Sequence, residues 1–314
     1  MRIDVHAHLF PTWYLALLEE AGVPTAAQHR GLGADDTAAE LGARFAMMDE
    51  VGVERQVLSI TPAPAYLADR HTATDLSRRI NDQFADMTRQ YPDRFLAFAT
   101  VPLPHVDDAL AEVDRALGDP GMRGVALTAT VNGTAVTDPS LAPLWEELDR
   151  REAVVFVHPA GDCAGSPQID GAMRWMVGAP VEDTIVAAKM ITGGHLLRYP
   201  RAKIIIPHLG GALPVLLERW DNLSRLGGAE PEIEPSEAAR RLWYDTVSHG
   251  SATALRAGVR AVGADRLLLG SDFPYQIGRM YTHGAVSFMH EAGLEPDEVH
   301  RILDVNAAAL LGLG

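Results

Sequence analysis

The run Val154-Val155-Phe156-Val157-His158-Pro159 decides the fold. Four consecutive apolar, mostly β-branched residues form a strand with no polar face, so both faces must be buried. The pattern recurs at Ile204-Ile205-Ile206-Pro207-His208 and at Leu267-Leu268-Leu269-Gly270-Ser271-Asp272. Each time a titratable residue follows at once. Working outward, β-rich runs occur at Ile3–His8, Gln56–Ile60, Phe95–Val101, Gly124–Thr128, Val154–His158, Lys203–His208, Leu242–Val247 and Arg266–Ser271. Stretches with helical spacing separate them: Ala38–Val51, Thr74–Gln90, Asp107–Leu117, Pro139–Arg151, Glu182–Ile191, Leu213–Leu223 and Ala252–Val262. Strand–helix alternation predicts parallel strands joined by helical crossovers. Eight such units predict a closed (β/α)8 TIM-type barrel, an α/β fold that ordinarily takes roughly 250 residues.

Two further helical stretches, Gly284–Ala292 and Pro296–Leu311, follow the last strand. Long connections at Pro11–Asp36, Pro159–Pro180 and Gly227–Ser236 read as loop insertions. The first two follow strands, so they belong to the C-terminal face of the barrel, where they serve as lid and pocket wall. Although 314 residues exceed the ~150 typical of one domain, the repeating pattern runs throughout and predicts one domain over 1–314.

Composition narrows the function. With 27 Lys+Arg against 42 Asp+Glu, the net charge of −15 disfavours nucleic acid or an anionic membrane as partner. No apolar run reaches the ~18 residues of a spanning helix, and the N-terminus lacks a signal-peptide pattern. The single cysteine, Cys163, excludes an internal disulfide and a Cys-based zinc cluster, which suits a cytoplasmic protein.

The titratable residues after the apolar runs carry the chemistry. His6 and His8 are two apart on a strand and point to the same side. His158, His208 and Asp272 end three other strands, and strand C-termini converge on one mouth in a barrel. Five such residues from four strands are poorly explained as unrelated core polar groups, because an unpaired buried charge is costly. Three imidazoles and a carboxylate suit Zn2+ and are compatible with Mn2+. The ligands are read as His6, His8, His158 and Asp272, which leaves His208 as an acid or base beside the metal. Trp175, Phe273 and Tyr275 lie on segments facing the mouth and could stack on an aromatic ring. No phosphate-binding glycine fingerprint signals an organic cofactor. His249, after the seventh strand, could line the pocket, cap a helix or support a pocket residue; His29, His71, His105, His195, His283, His290 and His300 read as surface or capping groups, and Cys163 as a bystander.

Asp4-Val5-His6-Ala7-His8, Phe156-Val157-His158-Pro159, Pro207-His208-Leu209-Gly210-Gly211 and Gly270-Ser271-Asp272-Phe273-Pro274 together resemble the amidohydrolase superfamily, in its aminocarboxymuconate-semialdehyde decarboxylase branch. The resemblance covers the whole chain. It implies a (β/α)8 barrel, one divalent metal at His6, His8, His158 and Asp272, and a catalytic histidine at His208. The run Met173–Pro180 resembles the branch's substrate loop and places an aromatic at Trp175. Arg219 matches an arginine that reaches across a homodimer interface to a substrate carboxylate. Binuclear members bridge their metals with a lysine ending strand four. Here that strand ends Ala126-Leu127-Thr128-Ala129, and the only lysines are Lys189 and Lys203, so the resemblance implies one metal.

One departure bears on substrate. Muconate-type members hold their substrate with an arginine after strand one, and no residue of Phe10–Asp36 matches it well, Arg30 being the nearest. The loop Ala27-Gln28-His29-Arg30-Gly31-Leu32-Gly33 resembles members acting on small hydroxybenzoates, such as 6-methylsalicylate decarboxylases. The expected activity is therefore non-oxidative decarboxylation of a small hydroxy-aromatic or unsaturated acid, with Asp272 or His208 supplying the proton. The same ligand set would also serve a mononuclear hydrolase or hydratase.

Overall fold

The computed structural model describes residues 1–226 and 231–313. The expected connection 227–236 therefore falls partly outside the described residues. Eight parallel strands form one sheet in sequential order: β1 (Ile3–His8), β2 (Arg55–Ser59), β3 (Phe95–Ala99), β4 (Met122–Thr128), β5 (Val154–His158), β6 (Lys203–Ile206), β7 (Trp243–Asp245) and β8 (Leu267–Leu268). The ends of the sheet meet. Val5 N–H donates to Leu269 O at 2.9 Å, Asp272 N–H to His6 O at 2.8 Å and His8 N–H to Phe273 O at 2.8 Å. The fold is a (β/α)8 barrel.

The helices are α1 (Thr12–Glu20), α2 (Ala38–Val51), α3 (Arg70–Gln90), α4 (Val106–Ala116), α5 (Ala142–Arg150), α6 (Ala179–Thr192), α7 (Leu213–Ser224) and α8 (Ala252–Val262). Their starts have local causes. Thr37, Asp69 and Ser251 side chains accept a backbone N–H from the first turns of α2, α3 and α8. Pro180 and Pro214 occupy first-turn positions of α6 and α7, where a missing N–H costs nothing. The apolar cluster of Ile3, Val5, Val57, Leu96, Phe98, Ala126, Phe156, Ile205 and Leu268 packs against Ala307, Leu310 and Leu311 of the final helical turns. Among the described residues no helix is long and apolar enough to cross a membrane.

Several boundaries depart from the sequence expectation. The strand expected over Lys203–His208 stops at Ile206, because Pro207 offers no N–H to a ladder and His208 takes a left-handed φ of 51°. Of the strand expected over Arg266–Ser271, only Leu267–Leu268 pairs with β7, and the chain then turns toward β1. The connection Pro11–Asp36 is not irregular throughout, since α1 buries Tyr14, Leu15 and Leu18.

Candidate active site

The ends of β1, β5 and the turn after β8 bring four ligand atoms, from His6, His8, His158 and Asp272, within 4.8 Å of one another, all on buried residues. Each imidazole is aimed by a bond from its other nitrogen. His6 Nδ1 lies 2.7 Å from Asp245 Oδ2, His8 Nδ1 lies 3.0 Å from Ser59 Oγ, and His158 Nδ1 lies 2.8 Å from Pro159 O. That arrangement leaves the three Nε2 atoms to face Asp272, as metal-binding histidines require. His6 Nε2 and His8 Nε2 lie 3.2 and 3.3 Å from the same oxygen, Asp272 Oδ1, and among the described residues the buried His6 Nε2 makes no hydrogen bond of good geometry. An orphaned nitrogen beside a shared carboxylate fits a divalent cation.

The backbone strains to make this site. Asp272 and His208 both adopt left-handed φ values, 59° and 51°, conformations uncommon outside glycine. Asp4 ties the two sides together: its carboxylate accepts from His6 N–H, Ser271 N–H, Ser271 O–H and Gln56 Nε2.

The electrostatics favour a cation. Burial draws the His6 pKa down, but the Asp245 and Asp272 carboxylates outweigh it and hold the ring up at about 9. For His8 burial prevails and lowers it to about 4, and for His158 burial, with His6 and His8 nearby, lowers it well below the ordinary value. Burial would raise Asp272, yet the surrounding imidazoles keep it well below the usual carboxylate range.

His208 stands apart from these four residues. Its Nδ1 lies 2.8 Å from Asp183 Oδ2, and its Nε2 lies 3.9 Å from Asp272 Oδ2. Burial opposes its charged form, but the carboxylates of Asp183 and Asp272 raise its pKa well above the ordinary value. Both carboxylates therefore favour the charged form of this imidazole. Asp183 and Asp245 were not singled out from sequence. Asp245 ends an apolar run just as Asp272 does, so that signal was present. Asp183, in the first turns of α6, had no sequence signal beyond an acidic residue in a helix.

A cavity of about 670 Å³ opens over these groups. Its walls include His158, His208, Asp272, Trp175, Tyr275, Leu209, Val247 and His249, with Ala254 and Ala257 from α8, and among the described residues no Lys or Arg lines it. Trp175 stacks on Tyr275, the rings 6.4 Å apart and 23° from parallel, and the Tyr275 hydroxyl pairs with His29 Nδ1 at 2.6 Å. His29, expected on the surface, is buried, because it stacks on Phe10 beneath that tyrosine. His195 is likewise buried, packed edge-on against Trp145.

The other expected substrate residues are placed differently. Phe273 does not line the cavity. It is buried under the Arg44 guanidinium, 4.4 Å from the ring centre, because the turn that presents Asp272 carries the next side chain into the core. Arg219 is exposed on α7, one turn beyond Val215 of the cavity wall. Cys163 is buried and lies outside the cavity lining.

Residues 3–313 match the family described as Amidohydrolase. This chain belongs to that family. As an amidohydrolase it is 27% identical over its whole length to a 2-amino-3-carboxymuconate-6-semialdehyde decarboxylase of Dictyostelium discoideum, covering 92% of that protein. It is 30% identical to a 6-methylsalicylic acid decarboxylase of Aspergillus aculeatus, over 87% of this chain and 84% of the relative. Among solved structures, a dihydroxybenzoic acid decarboxylase from Polaromonas sp., with bound manganese and the inhibitor 2-nitroresorcinol, superposes with a TM-score of 0.80 at 22% identity, over 99% of this chain and 97% of that one.

Proposed function

We propose that this amidohydrolase is a metal-dependent non-oxidative carboxy-lyase acting on a small ortho-hydroxybenzoate, with a 6-substituted salicylate as first candidate. The observation that carries the reading is the His208 imidazole, held at the cavity wall by Asp183 and lying outside the cluster of His6, His8, His158 and Asp272. The decarboxylases among the relatives support the reaction class. The catalytic groups are assigned as His208 and Asp272, the metal ligands as His6, His8, His158 and Asp272, and the wall against the substrate ring as Trp175 and Tyr275. Zn2+ is the preferred ion for this donor set and Mn2+ is compatible.

When bound, the metal supplies a Lewis acid that can take a carboxylate and the adjacent phenol oxygen together. The rest falls to the protein. With no Lys or Arg of its own in the cavity wall, the chain meets the substrate's negative charge chiefly with the metal centre and the His208 imidazolium. The His208 Nε2 proton goes to the ring carbon that bears the carboxyl group. The bond to that group then breaks, its electron pair restores the aromatic ring, and CO2 leaves. Asp183 keeps Nδ1–H in place, so the imidazole returns to its charged form by taking a proton from solvent. Asp272, held as a carboxylate, supports the imidazolium rather than donating. The aromatic and aliphatic walls exclude water, which strengthens each of these interactions.

We also propose that the enzyme works in the cytoplasm as a homodimer. Exposed Met176, Val215 and Trp175 ring the cavity mouth, an apolar rim suited to a second copy. Arg219, on the same helix face as Val215, would then offer its planar fork to the neighbour's substrate carboxylate. The test incubates metal-loaded protein with substituted salicylates and resorcylates and follows CO2. Release from an ortho-hydroxybenzoate is expected. Turnover of esters or lactones with no decarboxylation of any acid would hand the site to hydrolysis.

A further inference from the structure

The segment after β8 serves two cavities. Asp272 and Tyr275 line the catalytic one, whereas Gln276 lines a second, of about 300 Å³, together with His249, Arg279, Met280 and His283. His249 is a wall of both. Its left-handed φ of 51°, unusual for a residue with a side chain, sets it at this partition.

Gln276 is the anomaly. Its side chain is 1% exposed, yet neither Nε2 nor Oε1 has a hydrogen-bond partner among the described residues. Buried amides are almost always satisfied, because desolvation without a replacement bond is expensive. The chain is shaped to close on this group. A Cβ at Gly284 would lie 2.3 Å from Gln276 Oε1, and one at Gly250 would lie 2.8 Å from His283 Cδ2. Only residues without side chains let the two segments approach so near.

The surrounding groups share one chemistry. Arg279 is exposed and forms no ion pair among the described residues. His283 follows it by four positions, one turn along the helical segment 279–291. The acid in ion-pair range of these side chains, among the described residues, is Glu291, whose Oε1 lies 3.9 Å from His283 Nδ1. An amide NH2, a guanidinium fork and two imidazoles are donors around one small volume. A planar anion with two acceptor oxygens suits such a set, since charge-assisted bonds to a fork are the strong ones.

We propose that this cavity is a second carboxylate-binding site, in which Gln276 and Arg279 grip a carboxylate beside His249. The site stands apart from the metal centre and does not depend on the reaction assigned to it. Its carboxylate comes either from a free small organic acid or from the far end of a di-acid whose other end sits at the metal.

The test uses the full-length, metal-loaded chain labelled with 15N-glutamine. Sodium acetate is titrated against sodium chloride at matched ionic strength, and the side-chain amide signals are followed. The Gln276 signal, identified by its loss in Gln276→Leu, is expected to shift saturably with acetate. Arg279→Leu is expected to weaken that binding at least tenfold, and Arg279→Lys less. Gln276→Glu, which sets a second negative charge against the ligand, is expected to abolish acetate protection of the melting temperature, measured against the variant's own unliganded value. A second arm compares kcat/KM for hydroxybenzoates with and without a distal carboxylate. A tenfold selective loss in Arg279→Leu assigns the site to substrate; binding of acetate with no such loss assigns it to a free acid. No saturable shift, or an acetate affinity unchanged in Arg279→Leu, overturns the proposal.

Discussion

Replacing Asp245 by Asn tests whether the site is built for a metal. The Asp245 side chain is fully buried, and one carboxylate serves three donors. Oδ2 lies 2.7 Å from His6 Nδ1, while Oδ1 accepts from His208 N–H at 2.8 Å and from Val247 N–H at 3.0 Å. An asparagine has only one oxygen. If that oxygen faces His6, the NH2 meets two backbone donors. If it faces the backbone, the NH2 meets Nδ1, forces it to accept, and moves the ring proton to Nε2, where it blocks ligation. Either orientation loses a hydrogen bond to a charged group, worth about 1.5–3 kcal/mol. Losing the partner that orients a metal-bound histidine typically weakens metal affinity about 10–100-fold. That range corresponds to about 1.4–2.8 kcal/mol, so the two estimates agree. The assay strips the metal with a chelator and measures Kd by competition with a chromophoric zinc indicator, for wild type and Asp245→Asn. A Kd raised 10–100-fold is expected, with the far-UV spectrum unchanged and a modest fall in Tm. A Kd within twofold of wild type, in a folded variant, would refute the claim that Asp245 sets the His6 tautomer for a metal.

Changing His208 to Ala should leave the metal in place and lower kcat by about 10²–10⁴, the usual worth of a general acid; loss of the metal would promote His208 to ligand. His158→Ala should release most of the metal, which elemental analysis would show as far less than one ion per chain, and full occupancy would undo the four-ligand assignment. Glu182 gives a pH prediction. Its carboxylate accepts from Ala160, Gly161 and Cys163 N–H, and burial, with Asp162 nearby, pushes its pKa from 4.5 up to about 7. A raised folded pKa means stability that is complete below about 4.5 and lost as pH rises through about 7. Wild type should therefore lose Tm relative to Glu182→Gln between pH 5 and pH 8, and parallel curves for the two proteins would contradict this.

Most of the barrel was legible because its signal is local. A strand buried on both faces reads as a continuous apolar run wherever it occurs, and Val154–Val157, Ile204–Ile206 and Leu267–Leu269 needed no partner to be recognised. The residue that ends such a run stands at the barrel mouth, which is why His158, His208 and Asp272 could be singled out. The boundaries moved where the chain leaves regular geometry to present a side chain, at Pro207-His208 and across 269–273. Phe273 shows the limit of such reasoning: its neighbour Asp272 enters the site while it turns beneath Arg44. His29, buried against Phe10 and bonded to Tyr275, could not be distinguished from a surface histidine, because its partner is 246 residues away in sequence.

By itself the sequence determined the strand order, the barrel and the set of nitrogen and oxygen donors at its mouth, since each follows from periodicity and from residues adjacent in the chain. Only the tertiary structure decided which carboxylate faces which imidazole. Asp245 bonds His6 across 239 residues, and Asp183 bonds His208 across 25. That pairing gives chemically identical histidines different surroundings, because a ring's protonation is set by burial and by the charge within a few ångströms, and neither is written in the local order of residues.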